Sequence, residues 1–305
     1  MNQLNIDLPG RCHQCPGMFL RKSLFYALAG LALLLAVLLL AFAVSLSGLA
    51  VPKRTLEQQI TLIQPHTEIR LPDNVTGPVP GVLLLHGCGG RRQVQDNYAD
   101  AIVNAGYAAL IINSNEARGI GRLGSMSQVC MALRLLGQER AADIHAGLEI
   151  ARNHPGIDGD HLALLGWSHG GWTILDALSL AGEGRAPAAL RDSPVGLSGV
   201  QLALAMYPYC GFPALTDGRN LPAHIPLHAI LAEDDVIAPA NRCAHRLTRS
   251  GPHVSFEIYA DQTHAFDEPN APPLDPRIVY NENAAARAQR RIVELLDERF
   301  GENPS

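Results

Sequence analysis

Ser168 stands in Gly166-Trp167-Ser168-His169-Gly170, directly after the apolar run Leu162-Ala163-Leu164-Leu165 and shortly before a segment of helical character, Trp172 to Ala181. In that strand–turn–helix setting, G-x-S-x-G becomes a nucleophile elbow, a serine held on a sharp turn at the head of a helix. Gly166 and Gly170 leave the room such a turn needs. The free amides and the dipole at the helix N-terminus favour a developing oxyanion beside the serine. By itself the pattern also fits an ordinary glycine-rich turn, so the rest of the chemistry must be found elsewhere in the chain.

A serine nucleophile needs a base to take its proton, and the base needs a carboxylate to hold its tautomer. On a sheet of this kind the chain order is Ser, then Asp or Glu, then His, each on a loop that follows a strand. Downstream of Ser168, the strand-like run Leu227–Leu231 enters Ala232-Glu233-Asp234-Asp235, and Val254–Tyr259 enters Ala260-Asp261-Gln262-Thr263-His264. Acid and base candidates therefore appear at consecutive strand ends in the required order. An oxyanion hole needs two backbone donors. One is expected from the residue after the nucleophile, His169, and the other from His86-Gly87-Cys88-Gly89-Gly90, with the Cys88 amide favoured and Gly89 next. This set requires no metal and no cofactor.

The elements that must position these residues follow an alternating pattern. Val82–Leu85, Ala108–Ile112, Leu162–Leu165, Val200–Ala205, Leu227–Leu231 and Val254–Tyr259 are continuous apolar runs of strand type, and Leu56–Leu71 reads as one or two further strands. Helical stretches lie between them: Val94 to Ala105, a stripe of Ala141, Ile144, Leu148 and Ala151, and a closing helix with Ala285, Ala288, Ile292, Leu295 and Leu296. Buried strands alternating with helices predict an α/β fold, a mostly parallel sheet with helices on both faces. Residues 113–136, 183–198 and 207–225 are read as loops or cap elements over one site. Tyr207, Tyr209 and Phe212 follow a strand end on the face where such sheets bind ligands, which makes them candidate substrate-binding residues.

Gly119-Ile120-Gly121-Arg122-Leu123-Gly124 satisfies G-x-G-x-x-G, but it does not directly follow the first strand of a βαβ unit as a dinucleotide site requires. Asn74-Val75-Thr76 matches a glycosylation sequon.

The apolar excess is concentrated near the N-terminus. Leu24 to Val51 contains no charged residue, long enough to cross a bilayer, and follows a tail of 23 residues, which favours an uncleaved signal anchor over a cleaved signal peptide. Gly48-Leu49-Ala50 nevertheless offers small residues at a possible cleavage point. The expected organisation is a tail at 1–23, a transmembrane signal anchor at 24–51 and a catalytic domain at 52–305. The flanking charges, Arg11, Arg21 and Lys22 against Lys53 and Arg54, lean towards a cytoplasmic N-terminus and a domain that is periplasmic or extracellular. Cys12-His13-Gln14-Cys15 in the tail lacks the second pair of a structural zinc site. A net charge of −5 gives no basic footprint, so nucleic acid is not an expected partner.

Taken together, the pieces resemble the dienelactone hydrolase family of α/β-hydrolases. The resemblance rests on Leu84-Leu85-His86-Gly87-Cys88-Gly89-Gly90, Gly166-Trp167-Ser168-His169-Gly170-Gly171, Glu233-Asp234-Asp235 followed by Pro239, and Thr263-His264-Ala265-Phe266, and it runs from about Thr61 to Phe300. It implies an α/β-hydrolase fold and a triad of Ser168, Asp235 and His264, with Asp235 preferred over Asp234 because the family's acid stands four residues before the proline. The family's founding enzymes carry cysteine at the elbow, where this chain has Ser168. The resemblance implies hydrolysis of a small-molecule carboxylic ester or lactone through an acyl-enzyme, with the bilayer a partner only through 24–51. A peptidase or acyltransferase would use the same triad, and a catalytically silent binding module on the same fold is the reading of a different class. Beyond the apolar run, Cys88, Cys130, Cys210 and Cys243 allow three connectivities, and the sheet order this fold implies favours Cys88–Cys130 and Cys210–Cys243.

Overall fold

In the computed structural model, residues 16–47, 51–73, 75–191, 196–216, 221–269 and 276–301 are described. Cys12, Cys15, the Gly48-Leu49-Ala50 point and Asn74 of the sequon lie outside them. Two compact units divide at Ser47 and Gly48. The first contains helix α1 (Pro16–Ser47), whose segment Arg21–Val44 has a mean hydropathy of 2.9 over its most apolar stretch and is long and apolar enough to cross a membrane. At about 1.5 Å per residue it would measure ~36 Å, against a hydrocarbon core of ~30 Å.

The second unit is built on a seven-stranded sheet. The strands are β1 (Thr67–Arg70), β2 (Val79–Leu85), β3 (Ala108–Ile112), β4 (Ile157–Trp167), β5 (Val200–Met206), β6 (Leu227–Ala232) and β7 (Val254–Tyr259). Their order across the sheet is β1-β3-β2-β4-β5-β6-β7, with β1 antiparallel to β3 and every other pair parallel. The helices are α2 (Leu56–Ile63), α3 (Gln93–Asn104), the single turn α4 (Arg122–Gly124), α5 (Gly137–Arg152), α6 (His169–Gly182), α7 (Ala240–Leu247) and α8 (Glu282–Phe300).

Alternation along β2 shows why its apolar run is continuous. Leu83 and Leu85 enter one core with Ile144 and Leu148 of α5 and Ile174 and Leu178 of α6. Val82 and Leu84 point the other way, into a core with Tyr98 and Ile102 of α3 and Ile292 and Leu296 of α8. Successive side chains of a strand face opposite sides, so a sheet covered on both faces needs apolar residues at every position.

One element departs from the sequence expectation. Leu56–Leu71 is not a strand pair: it is helix α2, a 3₁₀ turn at Gln64–His66 and only then β1. The cause is local. The Thr55 hydroxyl accepts from the Gln58 amide and the Gln58 side chain accepts from the Thr55 amide, a reciprocal box that satisfies two free helix-end donors. Leu56, Ile60 and Ile63 then fall on one helical face and pack on the core.

Cys88–Cys130 and Cys210–Cys243 are both bridged, with Cα separations of 4.9 and 5.2 Å. The first ties the loop after β2 to the insert after β3; the second ties the segment after β5 to α7. With the partners 42 and 33 positions apart in sequence, the chain-entropy relation assigns each bridge roughly 4 kcal/mol. Adding reductant should therefore move the urea midpoint downward. Coincident curves with and without reductant would contradict this contribution.

Candidate active site

Ser168 sits between the end of β4 and the start of α6 with φ 51° and ψ −109°, a positive φ that a side-chain-bearing residue rarely adopts. The turn is held by the Ser168 amide donating to the Met206 carbonyl at 2.9 Å, and by close backbone packing on both sides. A Cβ at Gly170 would lie 1.9 Å from the Leu85 carbonyl oxygen, and one at Gly166 would lie 2.5 Å from the Gly170 carbonyl carbon. The start of α6 is thus pressed against the end of β2, which brings the serine beside the loop that follows β2. Gly170→Ala forces these two backbones apart and should destabilise the domain by more than about 4 kcal/mol. A chemical-denaturation curve close to wild type would refute that.

The side chains of Ser168, His264 and Asp235 form one hydrogen-bonded line. His264 Nε2 is 2.9 Å from Ser168 Oγ, and His264 Nδ1 is 2.6 Å from Asp235 Oδ2. The other carboxylate oxygen of Asp235 accepts from the amides of Ile237 and Ala238 at 2.8 and 2.7 Å, which fixes its plane. Asp235 is buried, whereas Asp234 is exposed, and only the Asp234 backbone amide faces the histidine loop, donating to the Gln262 carbonyl. His169 heads α6, where the first amides have no intrahelical acceptor. Cys88 lines the same small pocket as Ser168, together with Gly87, Gly89, Gly90, His264 and Glu268.

The aromatic candidates separate. Tyr207 is buried, makes an edge-on contact with the His264 ring at 4.9 Å and donates to Asp267. Tyr209 packs on Trp172 and donates to the Phe212 carbonyl, and the Phe212 side chain is exposed. None of the three lines the pocket beside Ser168.

Several residues that sequence reasoning passed over surround the line. Asp267, fully enclosed, accepts from Tyr207 at 2.5 Å, Tyr98 at 2.9 Å and the Trp167 indole at 3.1 Å. One carboxylate thereby joins the residue before Ser168, the ring against His264, helix α3 and the His264 loop itself. Burial raises the Asp267 pKa, and its three donors oppose that rise. The signal was faint: an acid three residues after His264, with nothing in the sequence to say it is enclosed.

Arg92 and Glu268 form an ion pair in the pocket wall. Burial pushes the Glu268 carboxyl up to about 7, with the Arg92 charge opposing the rise. A folded pKa above the ordinary 4.5 means this group's contribution to stability is present below pH 4.5 and is lost as pH rises through about 7. The melting temperature of wild type minus that of Glu268→Gln should therefore decline across that window. A difference that stays constant with pH would exclude the effect.

A family model for the dienelactone hydrolase family matches residues 66–300. Among solved structures, a putative dienelactone hydrolase from Klebsiella pneumoniae is 17% identical, with 78% of this chain and 92% of that one covered at a TM-score of 0.56. A dienelactone hydrolase-like promiscuous phosphotriesterase from metagenomic libraries is 17% identical over 77% and 92%, at 0.55. Esterase 2 of Thermogutta terrifontis, phosphonylated by cyclosarin, is 14% identical over 76% and 86%, at 0.53. No curated protein matches the chain by sequence.

Proposed function

Because the chain belongs to the dienelactone hydrolase family, we propose that it is a serine hydrolase cleaving a small carboxylic ester or lactone through an acyl-enzyme. The observation that carries the reading is the unbroken line from Ser168 Oγ through both nitrogens of His264 to Asp235, at 2.9 and 2.6 Å. With Asp235 accepting from Nδ1–H, the free lone pair of His264 lies on Nε2 and faces the serine hydroxyl. His264 takes the proton as Ser168 Oγ attacks the carbonyl carbon. The amides of His169 and Cys88 hold the oxyanion, and the proton passes to the departing alkoxide as the acyl-enzyme forms. Water then repeats the sequence, giving the acid and free Ser168.

In this reading residues 52–305 are the catalytic domain, 24–51 anchor it and 1–23 form a tail. Two disulfides support an oxidising compartment, periplasmic or extracellular, for the domain. The length and hydropathy of the Arg21–Val44 segment support the anchor.

A fluorophosphonate probe tests the reaction class directly: it should label wild type at Ser168 and leave Ser168→Ala unlabelled. Absence of labelling in folded wild type would remove the serine hydrolase reading. Turnover of esters, lactones and amides of graded acyl length then sorts the substrates.

A further inference from the structure

Arg140 lies in the first turn of α5 and is completely enclosed. A buried guanidinium is costly unless a carboxylate or a full set of acceptors meets it. The Asp143 carboxylate, three residues further along α5, acts on Arg140 through its charge but has its hydrogen bonds elsewhere. Arg118 holds it through two bonds of 2.8 and 3.0 Å, and the Gln59 amide donates to it at 2.5 Å. Arg140 instead donates from Nε to Ser114 Oγ at 2.9 Å, and from one terminal nitrogen to the His86 carbonyl at 2.7 Å and His169 Nδ1 at 3.2 Å. Its other terminal nitrogen has no partner among the described residues. Burial brings its pKa down to about 9, which still leaves a cation at neutral pH.

His86 and His169 are not arbitrary acceptors. His86 opens the His86-Gly87-Cys88 turn, and His169 follows Ser168, so each belongs to one of the two backbone segments that would donate to an oxyanion. A single nitrogen of Arg140 touches both. Accepting from Arg140 at Nδ1 places the His169 proton on Nε2, in keeping with a ring whose pKa burial and the Arg140 charge lower to about 3.

The geometry points to Arg140 as a positioning residue of the oxyanion hole: its guanidinium sets the spacing between the Cys88 and His169 amides and places a buried positive charge behind them. This rests on the hydrolase reading above. Donors of this kind act only when held at hydrogen-bond distance from the oxyanion, so loosening the clamp weakens transition-state binding more than substrate binding.

The test uses Arg140→Lys, which keeps a cation but not the fork, and His169→Phe, which keeps the ring and the backbone amide but removes the acceptor. In each, kcat for an ester should fall roughly 10- to 100-fold with KM within about threefold. Affinity for a trifluoromethyl ketone, which Ser168 would convert to a tetrahedral adduct, should fall by a similar factor. Wild-type kcat in both folded variants would overturn the inference. So would a lower kcat with unchanged ketone affinity, because a displaced oxyanion hole must also weaken the tetrahedral adduct. If Arg140→Lys does not fold, His169→Phe decides. Failure of the hydrolase reading is seen separately, as unlabelled wild type or as full turnover in Ser168→Ala.

Discussion

Ser168→Ala should lower kcat for an ester substrate by roughly 10⁴-fold or more, and His264→Ala by a comparable factor, with the fold retained in both. The serine hydroxyl makes its hydrogen bond to His264 alone among the described residues, so its removal leaves no buried partner other than the ring nitrogen it faced. The strained turn does not depend on the hydroxyl. It is held by the Ser168 amide on the Met206 carbonyl and by the glycine contacts at 166 and 170. Removing the His264 ring opens space beside Tyr207, but Tyr207 keeps its bond to Asp267. Because the two residues act as a unit, the double variant should be no slower than the worse single one. Steady-state kinetics alongside circular dichroism would check this. Near wild-type turnover in folded Ser168→Ala would rule out the nucleophile.

Much of this site was legible because each member follows a strand whose apolar run is unbroken. β3 and β7 match their expected limits, Ala108–Ile112 and Val254–Tyr259, and β6 extends the expectation by one residue. Ser168, Asp235 and His264 stand just past the ends of β4, β6 and β7, where a parallel sheet presents its loops on one edge. α2 is hidden because the apolar positions of Leu56–Leu71 also suit strands, which outweighs a capping box at Thr55 and Gln58. Arg140 is a harder case. It stands four residues before Ile144, on the side of α5 that continues through Leu148 and Ala151, so a charged residue on an apolar stripe was the available signal. What it bonds to comes from the loops after β2 and β3 and from the first residue of α6, and no local pattern reports that. Asp267 has the same character, since its three donors come from α3, β4 and the end of β5.

Adjacent carboxylates at 234 and 235 offer a sharper test than deletion of the serine. Asp235→Asn should lower kcat by about 10⁴-fold, whereas Asp234→Asn should stay within about threefold of wild type. In the native arrangement Asp235 Oδ1 is committed to the Ile237 and Ala238 amides, and Oδ2 to His264 Nδ1. An asparagine there can satisfy the two amides only through its carbonyl oxygen, which turns its NH₂ group towards His264. Nδ1 must then become the acceptor and the ring proton moves to Nε2, facing Ser168. A histidine in that tautomer cannot take the serine proton, although the geometry and the fold are preserved. Asp234 has no such coupling: its carboxylate is exposed, and the amide that reaches the histidine loop is unaffected by the substitution. KM should change little in either variant, because neither side chain touches substrate. Equal and small losses of kcat in the two variants would mean that the acid of the triad lies elsewhere.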